Sequence, residues 1–116
     1  MSKYRTVAHT AAALILITVP ALAQPVSDHQ VQVFGQKIHY LEAGSGPVVI
    51  LLHGLGGDAT NWVQTIPALA ARYHVFVPDQ VGFGQSDKPL IDYRVSTLVD
   101  FLDEFATSSP SARRRW

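Results

Sequence analysis

The 116 residues contain no cysteine, which excludes a disulfide framework and a lipidated N-terminal cysteine. A chain of this length suits one small domain, and it must then be held by its apolar core alone. No apolar stretch approaches the ~18 residues that a membrane span needs; the longest, Ala11 to Ala23, covers thirteen positions and is interrupted by Thr18. No internal repeat is visible. Net charge is missing too, but the zero sum hides an uneven spread. Lys3 and Arg5 sit at one end and Arg113 to Arg115 at the other, while Gln24 to Ala112 holds four basic and nine acidic side chains, a net of −5. A middle of that sign gives no electrostatic reason to expect a nucleic-acid partner.

The first stretch, MSKYRTVAHTAAALILITVPALAQ, reads as an address. Lys3 and Arg5 make a positive n-region, Ala11 to Val19 an apolar core, Pro20 a break, and Ala21-Leu22-Ala23 an A-x-A cleavage site. The expectation is a signal peptide over 1–23, cleaved after Ala23, with a periplasmic or secreted product that keeps no membrane contact. At the other end, FATSSPSARRRW leaves an apolar pattern abruptly for small polar residues, a proline and three arginines. Such composition suits a disordered basic tail, and equally a frame-shifted or truncated reading frame.

Between these ends, QVQVF (Gln30 to Phe34) and KIHYLEAG (Lys37 to Gly44) both alternate with the period of a half-buried strand, and Gly35-Gln36 is expected to turn one into the other. Gly44-Ser45-Gly46-Pro47 has loop chemistry. VVILL (Val48 to Leu52) is continuous and apolar, which suits a parallel strand covered on both faces. Trp62, Ile66, Leu69 and Tyr73 recur at helical spacing, with Asp58 or Thr60 as N-cap and Pro67 kinking or dividing the helix. Trp62 reads as a core anchor rather than a substrate contact. HVFVP (His74 to Pro78) is a further short strand, and Val95, Leu98, Val99, Leu102 and Phe105 mark one face of a last helix. The order β-β-β-α-β-α implies an α/β layered plan: an antiparallel hairpin leading into parallel strands with covering helices.

Open α/β folds place ligands where buried strands end. There this chain has His53-Gly54-Leu55-Gly56-Gly57, a turn whose backbone can leave the sheet sharply and approach a bound group. Backbone N–H groups freed at such a turn can stabilise an oxyanion in acyl transfer. His53 is either an acid, base or metal ligand, or a structural imidazole bonded to loop backbone; no partner at metal spacing favours the second. The spacing does not fit a phosphate loop, which needs lysine and a hydroxyl residue where Asp58 and Ala59 stand. A dinucleotide fingerprint would need glycine at position 59, and its alanine variant leaves a nucleotide-binding βαβ unit as the weakest reading. In the second loop Asp79 is either catalytic or an Asx-type loop former, with Gly82 and Gly84 shaping the chain. Ser86 lacks the second glycine of G-x-S-x-G and no strand leads into it, which argues against a nucleophile.

VVILLHGLGGDATNW followed by VFVPDQVGFGQSDKP, each after an apolar strand, resembles the N-terminal part of an α/β-hydrolase-fold protein. The resemblance covers about Val31 to Phe105 and is nearest to meta-cleavage-product hydrolases, haloperoxidase-like esterases and related lipases. It implies that His53, Gly54 and Leu55 form the family's HG-x motif, with the backbone N–H of Leu55, together with that of Gly56, supplying half of the oxyanion hole. It also implies structural roles for Asp79, Gly82, Gly84 and Ser86, a small-molecule substrate, and no metal or organic cofactor. Haloalkane dehalogenases typically carry asparagine where this chain has Leu55. The family's Ser-Asp-His triad, with an Asp nucleophile in some branches, begins on an elbow after the next strand. No G-x-S-x-G occurs here, and His74 is the last histidine. The expected division is therefore a signal peptide over 1–23, the N-terminal part of a hydrolase domain over 24–105, and an aberrant or basic tail over 106–116. Such a chain is expected to be inactive by itself and to leave Val48–Leu52 without a neighbouring strand. The alternative is a non-catalytic binding protein whose basic tail meets anionic partners. Oligomeric state leaves no mark in the sequence.

Overall fold

The computed structural model describes residues 25–110 and positions 13 and 15. The rest of the expected signal peptide and the arginine run lie outside the described residues. Strand β1 (Ser27–Val33) and strand β2 (Gln36–Ala43) pair antiparallel with Val33 opposite Gln36. The connecting turn is thus Phe34-Gly35, one residue earlier than the alternation implied. Both turn residues have positive φ, +49° and +74°, the geometry that matches the twist of a two-residue hairpin.

Strand β3 (Val48–Ile50) runs parallel to strand β4 (His74–Pro78), and β4 pairs antiparallel with β2, giving the order β1-β2-β4-β3. Among the described residues β3 is therefore an edge. Its residues are half-buried and Leu52 beyond it is exposed, whereas every residue of β4 is buried. The continuous apolar run predicted burial on both faces, and only β4 has it.

Alternation along β2 and β4 builds two cores. Ile38, Tyr40 and Phe76 point to one face, where they meet Val33, Val81 and Phe105 of helix α2 (Val95–Ser108). Leu41, Ala43, Val75 and Val77 point to the other, where they meet Ala59, Ile66 and Ala70. Burying each such large apolar side chain contributes about 1.5–3 kcal/mol. Helical spacing around Pro67 resolves into two pieces, a 3-10 turn (Ala59–Trp62) and a short helix α1 (Ile66–Ala70) with the proline in its first turn. A proline lacks the N–H that the first turn leaves idle, so it starts this helix instead of bending a longer one. Tyr73 falls beyond α1 and is exposed.

Helix α2 differs from its expected face. Leu98, Phe101 and Phe105 pack on the sheet, while Val95 and Val99 are 77% and 54% exposed. The helix also continues three residues past Phe105, and Ser109 after it is fully buried. No described helix is long and apolar enough to cross a membrane.

Candidate active site

The chain leaves β3 through Leu51, whose N–H still donates to Phe76 O (2.9 Å), and enters the glycine turn. Gly57 N–H donates to Gly54 O (3.0 Å), closing a four-residue turn with Gly56 at its third position and φ +75°. That position of a type II turn demands positive φ, which is why glycine stands there. Leu55 projects its side chain almost wholly into solvent, at 97% exposure. Among the described residues nothing accepts the N–H of Leu55 or Gly56. Leu55 borders an open cavity of about 360 Å³ lined also by Leu52, His53, Gly54, Gly57, Asn61 and Trp62. The indole Nε1 of Trp62 is buried without a hydrogen-bond partner among the described residues, although its ring packs beside the Leu41–Val77 core.

His53 lies under this turn, buried, and both its ring nitrogens meet loop backbone. Nδ1 lies 2.8 Å from Gly54 O, and Nε2 accepts the N–H of Gln80 at 3.0 Å. A nitrogen that accepts a backbone N–H carries no proton, so the ring is neutral with its hydrogen on Nδ1. Asp58 caps the following 3-10 turn. Its carboxylate accepts Thr60 N–H (2.8 Å) while Asn61 Oδ1 accepts the N–H of Asp58 (2.9 Å). Bonds from the Thr60 hydroxyl and amide hold the Asp58 carboxyl below its ordinary range.

Asp79, at the end of β4, is buried and ties three segments together. It accepts Ala59 N–H (2.6 Å) from the 3-10 turn, Gln85 N–H (2.9 Å) from the second loop, and a bond from His39 Nδ1 (2.8 Å) on β2. Gly84, at φ +53°, lies so close that a methyl group there would fall inside the Asp79 carboxyl. Gly82 lies in the same loop, and its N–H donates to Asp87 O (2.9 Å). Ser86 is buried, donating its hydroxyl to Asp79 O (2.6 Å) and accepting the N–H of His39 (2.9 Å). Its proton is committed to a carbonyl, and among the described residues no base reaches it.

Sequence reasoning singled out His53, Gly54, Leu55, Gly56, Asp79, Gly82, Gly84 and Ser86, and the fold gathers them into two adjoining loops bridged by His53 and Gln80. It missed Gln80, His39 and Asp28. His39 gave no local signal, because it occupies the polar position between Ile38 and Tyr40, the face that the alternation assigns to solvent. No group of three His, Asp or Glu among the described residues is disposed to hold a metal.

A sequence profile described as the alpha/beta hydrolase fold matches residues 47–110, which include both loops and α2. The chain belongs to that family. It is 43% identical over 74 residues to a 2-hydroxy-6-oxo-6-(2'-aminophenyl)hexa-2,4-dienoic acid hydrolase of Metapseudomonas resinovorans, covering 61% of this chain and 26% of that one. It is 42% identical over 77 residues to a haloalkane dehalogenase of Mesorhizobium japonicum, covering 66% and 25%. The crystal structure of a membrane phospholipase A superposes with a TM-score of 0.72 at 41% identity, over 73% of this chain and 28% of that one. The chain spans only 20 to 30% of the length of the curated relatives it matches. The three proteins bear names of three different chemistries, and what they share with this chain is the family's fold.

Proposed function

We propose that this chain supplies the oxyanion-stabilising part of a hydrolase site acting on ester or C–C bonds of a small molecule. The observation that carries the reading is the pair of unclaimed N–H groups on Leu55 and Gly56, in the turn that follows β3, with Leu55 lining an open cavity. When a nucleophile attacks a carbonyl, negative charge gathers on its oxygen. Fixed donors already aimed at that oxygen stabilise the transition state without having to reorganise, and one such donor is worth about 10²–10³ in kcat. The neutral His53 contributes as a support for this turn. Asp79 and Ser86 hold the second loop against it. Leu55 in place of asparagine disfavours the dehalogenase branch. The triad's nucleophile would come from chain beyond these residues, because no G-x-S-x-G is present.

The test is to sequence the coding DNA from the Asp100 codon onward, translate every frame, and assay the continued product on 4-nitrophenyl butyrate. The expected result is a frame that continues into a strand, a G-x-S-x-G and a late histidine, with ester hydrolysis by the continued product and none by this chain. If no frame continues and nothing is hydrolysed, the enzyme reading falls and a binding role replaces it. We further propose export through residues 1–23, supported by their three-part pattern. A product isolated from the producing cells that still begins at Met1 would count against that.

A further inference from the structure

Two hydrogen bonds cross from the loop after β4 to the residue just before the glycine turn, and both come from Gln80. Its backbone N–H donates to His53 Nε2 (3.0 Å), and its side-chain amide donates to His53 O (2.8 Å). The first bond fixes the imidazole, which in turn holds Gly54 O through Nδ1. The second fixes the plane of the peptide that joins His53 to Gly54. Gly54 is exposed, with no atom within 4 Å of where a Cβ would lie, so packing does not hold it. At its root the turn is oriented by these hydrogen bonds, and at its far end Gly57 lies against the Asn61 side chain.

We propose that Gln80 is a positioning residue for the oxyanion site, a role that rests on the hydrolase reading above. Its side-chain amide is the group that decides where the Leu55 and Gly56 N–H groups point. An oxyanion donor is effective only within a narrow distance and angle of the developing charge, and a displacement near 1 Å can cost about 10²-fold in rate. A glutamine fits the task because a carbonyl oxygen needs a donor. Glutamate of the same length would set a carboxylate against the His53 carbonyl, and methionine would leave the carbonyl without its bond.

The test uses the full chain labelled with ¹⁵N and methylphosphonate as a tetrahedral oxyanion probe. In the native chain the amide signals of Leu55 and Gly56 should shift saturably with the anion. In Gln80→Met and in Gln80→Glu the same titration should be at least about ten-fold weaker, while the Val75 and Val77 amides keep their native positions and show the sheet to be intact. If Gln80→Met binds the anion as tightly as the native chain, the positioning role is overturned and the oxyanion reading survives. If both variants displace the Val75 and Val77 signals, Gln80 holds the fold and the positioning role is overturned. If the native chain shows no saturable shift at Leu55 and Gly56, the oxyanion reading falls and takes this role with it.

Discussion

The imidazole of His39 is held between two carboxylates, with Nδ1 2.8 Å from Asp79 Oδ2 and Nε2 2.7 Å from Asp28 Oδ1. Acceptors on both sides require a proton on both nitrogens, so the buried ring is an imidazolium. Burial opposes that charge, but the bonds to Asp28 and Asp79 outweigh it and raise the pKa above the ordinary value of 6.5. The Asp28 side chain is 72% exposed and that of Asp79 only 3%, so the first bond is open to screening by solvent and the second is shielded from it.

A pH dependence follows from the direction of this shift. A group whose folded pKa is raised gives stability that is fully present below its unfolded value and is lost as pH climbs through the folded one. The chain should therefore lose its His39 contribution on the alkaline side of pH 6.5. Urea midpoints measured from pH 5.5 to 9 should show the gap between the native chain and His39→Gln shrinking as pH rises. A gap that is constant or widens would contradict the assignment of a charged ring.

Gly84 and Gly35 share positive φ but differ in surroundings, which makes them a paired test. At Gly35 nothing lies within 4 Å of an added methyl, so Gly35→Ala should cost only backbone strain, about 1 kcal/mol. At Gly84 the same substitution also drives a methyl into the Asp79 carboxyl, and about 2–4 kcal/mol is expected. Chemical denaturation of both variants with an unchanged m-value would check this, and equal losses would show that Asp79 yields easily.

Strand β4 was legible to the residue, because a short apolar run buried on both faces has sharp polar or turn-forming ends. The hairpin was legible but its turn was not. An aromatic residue at positive φ is uncommon, and what accompanies it at Phe34 is an edge-to-face contact with Phe101, 5.2 Å between ring centroids, from a helix far along the chain. Phe101 also packs against the Tyr40–Phe76 core, while Val95 and Val99 of the same helix are exposed. The glycine turn could be read because glycine spacing is a local signal. The polar network could not, since His39 meets Asp79 across 40 positions and Gln80 meets His53 across 27, and no local period encodes such pairs.

Helix α2 therefore offers a second paired test. Phe105 is 2% exposed and its ring meets Tyr40 edge-on at 5.2 Å. Phe105→Ala should cost about 3–5 kcal/mol through the cavity it leaves. Val99 is 54% exposed, and Val99→Ser should stay within about 0.5 kcal/mol. Thermal or urea unfolding of the two variants distinguishes this arrangement from the face that periodicity alone suggested, on which both substitutions would be costly.

Leu55 permits the sharpest separation of function from stability. Its side chain is in solvent, its φ is not positive, and it occupies the second position of the Gly54–Gly57 turn, where proline is well accommodated. Leu55→Pro thus removes one N–H while keeping the backbone path. Stability should be unchanged or rise by up to about 1 kcal/mol, because proline restricts the unfolded chain. If Leu55 N–H is an oxyanion donor, ester hydrolysis by the continued product should fall by about 10²–10³ in kcat with little change in KM, and methylphosphonate should no longer shift the Gly56 amide as in the native chain. A variant that is equally stable and equally active would show that the N–H of Leu55 takes no part in the chemistry.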